Sequence, residues 1–190
     1  MLASVTIRNY GLIMSKLRIL AVSASLALVT ACAPTMGPPP PPPGTGAPSA
    51  TVFRQEDFSW SAVPGRNTID GRLTYRQGTT RYTCSGAGVV LTPETPWTRR
   101  RMTILYSSPE AAALPADEVR ARTPSAPNDD YSSFVRRTTC DAADRFTFAN
   151  LPDGAWFVIT VTRPSAGAGP SMAIMRRVVT RGGRISPIDL

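Results

Sequence analysis

The stretch Asp141-Ala-Ala-Asp-Arg-Phe-Thr-Phe-Ala-Asn-Leu-Pro-Asp-Gly-Ala-Trp-Phe-Val158 decides the fold class of this chain. Phe146 and Phe148 alternate around Thr147, the period of a strand with one buried face. Pro152 and Gly154 mark a tight turn. Trp156 to Thr162 is the most apolar run of the C-terminal half and predicts a central strand.

The same signals recur on both sides. Ile69, Gly71, Leu73 and Tyr75 alternate with Asp70, Arg72 and Thr74, and Phe58 and Trp60 alternate just before them, so strands are expected at both places. Tyr82–Cys84 and Val89–Leu91 read as short strands separated by the turn residues 85–88. Phe134–Cys140, Met172–Val179 and Ile185–Ile188 are further strands, with Gly182-Gly183 expected as a hairpin turn. Two segments break the pattern. Pro96–Tyr106 carries Trp97, Arg101, Ile104 and Leu105 at near-helical spacing. Pro115–Arg122 opens on Pro, Asp117 and Glu118 and closes on Arg120 and Arg122, an order that suits a helix dipole. The reading is therefore mainly β: an antiparallel sandwich of seven or eight strands, with one or two short helices within 96–122.

The segment 141–158 resembles the transthyretin-like, or carboxypeptidase regulatory-like, domains and their pattern D-x-x-G-x-F-x-F-x-x-L-P-x-G-x-Y-x-V. Asp141, Phe146, Phe148, Leu151, Pro152, Gly154, Trp156 and Val158 match it. Asp144 stands where the pattern has a turn glycine, which implies either a looser turn or an Asp in the left-handed region. Thr68–Leu73 and Val89–Pro93 resemble the opening strands of the same domains. The resemblance implies a prealbumin-like or immunoglobulin-like sandwich over about residues 68–190. It implies an accessory module and supplies no catalytic residue.

The N-terminus reads as an address. Lys16 and Arg18 precede an apolar run, Ile19–Val29, that ends in Thr30-Ala31-Cys32. This is the layout of a secretory signal, shorter than the roughly 20 apolar residues of a membrane-spanning helix. Val29-Thr30-Ala31-Cys32 resembles the lipobox of bacterial lipoproteins, which implies lipidation of Cys32 and cleavage before it. Ala33 rather than Asp implies the outer membrane. Met14 opens a compact signal by itself, so residues 1–13 are expected to precede the true start. The expected organisation is 1–31 signal peptide, 32–51 lipidated cysteine and linker, and 52–190 the sandwich domain. The linker holds eight prolines, six of them consecutive at Pro38–Pro43. Such a segment forms polyproline II or coil and acts as a stalk.

Composition narrows function. The chain has 190 residues, a formal net charge of +8 and no histidine. That excludes Ser-His-Asp and Cys-His nucleophiles, a histidine general base and His-built zinc sites. Lys16 is the only lysine and leaves with the signal, which also removes Ser-Lys chemistry. Asp129-Asp130 and Glu56-Asp57 read as solvated loop carboxylates. Asp141, Asp144 and Asp153 could hold Ca²⁺ from one sandwich edge, but turn chemistry accounts for them more simply. Cys84 and Cys140, alone once Cys32 is lipidated, are expected to pair in an oxidising envelope. No cofactor, metal, enzymatic activity or nucleic-acid partner is expected.

The expected function is a lipid-anchored envelope protein, held at the outer membrane facing the periplasm. Its sandwich binds or scaffolds another envelope protein. The alternative is binding of glycan, lipopolysaccharide or a cell-wall polymer through an arginine-rich face, with Arg99, Arg100 and Arg101 as candidate residues. Trp97 and Tyr131 are the loop-placed aromatics a glycan site could use.

Overall fold

In the computed structural model, residues 50–190 are described. The expected signal, Cys32 and the proline-rich stretch up to position 49 lie outside the described residues.

The described residues form ten strands in two sheets. The first, three-stranded, has the order β10-β1-β7, from Ile185–Asp189, Asn67–Arg72 and Arg145–Leu151. The second has seven strands: β2 (Arg76–Gln77), β3 (Thr80–Thr83), β4 (Gly88–Pro93), β5 (Ala111–Pro115), β6 (Arg136–Thr139), β8 (Gly154–Pro164) and β9 (Met172–Thr180). Its centre is β8, which pairs with β9 along one edge and with β4 along the other. β3 joins its C-terminal end at Arg163 and Pro164. β5 extends the sheet beyond β9, and β6 extends it beyond β4.

Alternation along β8 sorts two cores. Trp156 and Val158 point into the space between the sheets, with Val89 and Leu91 of β4, Phe146, Phe148 and Leu151 of β7, and Ile69 of β1. Phe157 points the other way, with Ala173 and Met175 of β9, into a second core under the helices. Met172–Met175 is buried at four successive positions because β9 is covered on both faces. Gly71 must be glycine for a steric reason. A Cβ there would lie 2.0 Å from the tip of the Phe146 ring.

The helix α1 (Pro96–Tyr106) begins as the sequence suggests. Thr95 is its N-cap, with Thr95 Oγ1 accepting from the Thr98 backbone N–H at 3.1 Å and the Thr95 N–H donating to Thr98 Oγ1 at 2.7 Å. Pro96 takes the first helical position. The second helix, α2, runs Ala116–Arg122.

Cys84 and Cys140 form a disulfide, with Cα atoms 5.7 Å apart. It is buried in the inter-sheet core and ties the end of β3 to the end of β6. Asp144 adopts the left-handed region at φ +60°, the role glycine has in the resembled pattern. Its carboxylate also does what glycine could not. Oδ1 accepts from Thr83 Oγ1 at 2.5 Å and from the backbone N–H groups of Cys84 and Ser85 at 2.8 and 3.2 Å.

Several sequence expectations need correction. Residues 55–62, which include Phe58 and Trp60, form a 3-10 helix and not a strand. Buried Phe58 and Ser61 are three apart, the period of that helix. Gly182-Gly183 does make a left-handed turn, at φ +69° and +68°. It does not close a hairpin, because β10 leaves β9 and pairs in parallel with β1 of the other sheet. The sandwich is thus not wholly antiparallel. Residues 111–115, Ala-Ala-Ala-Leu-Pro, form a strand the sequence did not suggest, since alanine favours helix. Pairing with β9 overrides that propensity. Phe134 closes a 3-10 turn, Ser132–Phe134, and the strand proper starts at Arg136.

Candidate functional site

The inter-sheet face of the large sheet is sealed, whereas its outer face is covered only in part. α1 supplies Met102, Leu105 and Tyr106 over Phe157, Ala173 and Met175. Burial there pushes the Tyr106 phenol up to about 12. Farther along β8 the cover thins. Ile159 is half-buried, and Val161 is 49% exposed.

A cleft of about 400 Å³ opens on this thinly covered face, lined by Val90, Asn128–Ser132, Val135 and Arg137. Val90 and Arg137 are register partners across β4 and β6, so both side chains emerge on the same face. The other wall is the segment that follows α2. It is fastened to α1 by Arg101, whose Nη1 donates to the Pro127 carbonyl and whose guanidinium lies 5.7 Å from the Tyr131 ring centre. Tyr131 also packs edge-on against Trp97 at 5.1 Å and stacks on Phe58 at 6.2 Å. Phe53 and Phe134 complete the aromatic cluster. The wall is therefore set by packing, while Asn128 and Asp129 at its rim are exposed.

Asp130 accepts from the Ser132 backbone N–H at 3.0 Å, and that bond, assisted by the Ser132 side chain, holds its carboxyl below the usual range. Asn128, Asp129 and Arg137 have no side-chain hydrogen-bond or ion-pair partner among the described residues. The cleft thus offers an amide, two carboxylates and a guanidinium around a small apolar floor. Planar polar groups of this kind can each bridge two neighbouring hydroxyls of a ligand.

The other sequence candidates fall elsewhere. Arg99, Arg100 and Arg101 do not form one free face. Arg99 donates to Glu94 at 2.5 Å and to Glu110 at 2.6 Å, and these carboxylates, Glu94 first, raise its pKa further. Glu94 is also held by Arg177 at 2.5 Å. Arg101 is spent on the cleft wall, and Arg100 alone is exposed without a partner among the described residues. Trp97 is fully buried and is a core residue. Asp141, Asp144 and Asp153 do not converge. Asp141 caps its own turn through the Ala143 and Arg145 N–H groups, both at 2.8 Å. Asp153, at the far end of β7, accepts from Asn67 Nδ2 and the Gly182 N–H at 2.9 Å each, Asn67 being the stronger cause of its lowered pKa. Among the described residues no group of three or more Asp, Glu, Cys or His side chains is placed to hold a metal ion. The cleft itself was half legible. Asp129-Asp130 read as solvated loop carboxylates, but nothing in the sequence says that their loop lies against Val90 and Arg137.

The fold defines a two-sheet β-sandwich with a helical layer over part of one outer face. No protein-family model matches the chain. No curated protein matches it either. A solved crystal structure from Pseudomonas aeruginosa, described as that of a candidate carbohydrate-binding protein, shares the fold. The TM-score is 0.56 at 21% sequence identity, over 73% of this chain and 96% of that one.

Proposed function

We propose that the protein is a non-catalytic glycan-binding module of the cell envelope, anchored by lipid on Cys32 and tethered to it through the proline-rich linker. The observation that carries the glycan reading is the cleft on the outer sheet face. There Asn128, Asp129 and Arg137 stand without partners beside the fixed wall of Tyr131. The carbohydrate description of the structural neighbour supports the same direction. The signal pattern ending in Cys32 supports the envelope address, and the missing histidine supports a binding role over catalysis.

A protein partner is the weaker reading. The exposed large hydrophobics among the described residues are five, with Val161, Val179 and Ile185 on three different strands and Val52 and Val63 in the segments that flank residues 55–62.

The test is isothermal titration of soluble peptidoglycan fragments and envelope oligosaccharides into the full chain carrying C32S, and into the same chain with N128A/D129A or R137A added. Binding to at least one glycan, lowered roughly tenfold or more by either change with the melting temperature held, supports the proposal. Glycan affinity equal in all three proteins removes the cleft from it. Absence of binding across the panel contradicts the glycan reading. Incorporation of an acyl-chain analogue that disappears with C32S tests the anchor separately.

A further inference from the structure

A second feature of the molecule is independent of the glycan cleft: three arginines emerge on one face at the β2–β3–β8 end of the large sheet. Arg76 and Arg81 are direct register partners across β2 and β3. Directly opposed residues share a face, and like charges so placed repel. Arg163 is the register partner of Thr83, which lies two residues from Arg81 and so on the same face. All three are exposed.

Countercharge is sparse there. Among the described residues, the one carboxylate in ion-pair reach is Asp144, with Oδ2 3.6 Å from Arg81. Its side chain is only 7% exposed, and its other oxygen already accepts three hydrogen bonds. Arg76 and Arg163 have no partner among the described residues. The small sheet has the same like-charged pairing, Arg72 opposite Arg145, but there Asp189 sits 3.2 Å from Arg72 and Asp70 is two residues along the strand. The Arg76–Arg81–Arg163 face lacks that compensation, which makes it suited to an external anion.

We infer that Arg76, Arg81 and Arg163 form a docking face for the phosphate groups of anionic lipid headgroups. The shape selects a surface over a single small anion. The three side chains are spread across three neighbouring strands on one sheet face, and none of them belongs to the cleft of Val90 and Arg137. Val161, half-exposed on the same face as Arg163, adds apolar area of the kind a headgroup layer accepts. Each arginine near an anionic bilayer contributes roughly fivefold in partitioning, and the effect is screened by salt.

The experiment is co-sedimentation of the full chain carrying C32S, which removes any acyl anchor, with vesicles. One set is pure phosphatidylcholine, and the other contains phosphatidylglycerol as the minority lipid. The expected result is partitioning onto the anionic vesicles only, weakened by salt and lowered roughly a hundredfold by R76Q/R81Q/R163Q. A charge-matched control, R66Q/R181Q/R184Q near the opposite end of β8, should lose far less. Equal loss in both triple variants would show that net charge, not this face, is responsible, and would overturn the inference. Partitioning unchanged by R76Q/R81Q/R163Q would overturn it as well. So would competition by inorganic phosphate at matched ionic strength, which would assign the face to a free anion. Circular dichroism of each variant confirms that it is folded.

Discussion

The two faces of the seven-stranded sheet are built from the same strands and end differently. On the inner face, Trp156 and Val158 meet a complete second sheet and are fully buried. On the outer face, Phe157 is buried under α1, Ile159 is half-covered, and Val161 and Arg163 reach solvent. One strand thus passes from closed core to open surface within seven residues. The inner face needs shape complementarity, so its sequence is apolar and its pattern strong. The outer face can spare that, and it holds the cleft of Asn128, Asp129 and Arg137 and, farther along, the arginine face.

A charge placed on each side separates the two faces by the largest margin. Val158→Asp buries a carboxylate without a partner and should cost several kcal/mol, enough to unfold the domain in chemical denaturation. Val161→Asp, on the outer face three residues later, should cost well under 1 kcal/mol. Equal losses would mean that the outer face is as closed as the inner one.

The disulfide comes next. Replacing Cys84 and Cys140 together by Ala should lower the unfolding free energy by up to about 4 kcal/mol in the chain-entropy account, read from the denaturant midpoint. Asp144 gives a smaller and sharper test at the edge between the two sheets. Asp144→Ala strands the Thr83 hydroxyl and the Cys84 N–H, leaves the Ser85 N–H only its 3.1 Å bond to Thr83 Oγ1, and keeps a Cβ at φ +60°, for a loss of about 2–3 kcal/mol. Asp144→Gly strands the same donors but relieves the backbone, so it should be about 1 kcal/mol less damaging.

The smallest effect concerns pH. Asp153 has a lowered pKa in the folded state, chiefly from Asn67, then from the Gly182 N–H. A depressed folded pKa contributes stability above the unfolded value, near 3.8, and that contribution is lost as pH falls through the folded one. Melting curves of the parent should therefore show an acid decline below about pH 4 that is shallower in Asp153→Asn.

What the sequence revealed follows the same division between faces. Strands with a sealed side, such as β7 and β8, advertise themselves by alternation. The helix Pro96–Tyr106 was legible because the near-helical spacing of Trp97, Arg101, Ile104 and Leu105 is a local signal. Local signals fail where a distant partner decides. The two-glycine turn was legible, yet the strand that receives β10 was not, because β1 lies more than a hundred residues earlier. Phe58 and Trp60 mimic a strand period but serve a 3-10 turn that docks aromatic side chains on Trp97 and Trp156. Arg99 to Arg101 looked like a basic cluster because Glu110 and the Pro127 carbonyl arrive from other elements. Conversely, Arg76, Arg81 and Arg163 are scattered in sequence and come together only through strand pairing.

Glycan binding at the open part of the outer face is the proposal on which the rest depends. The most direct measurement is a ¹⁵N–¹H correlation spectrum of the C32S chain titrated with peptidoglycan fragments and envelope oligosaccharides. Saturable shifts are expected at Asn128–Ser132, Val90 and Arg137, with the inner-core amides of Val158 and Phe148 unmoved. Shifts centred elsewhere, or none with any glycan of the panel, would contradict it.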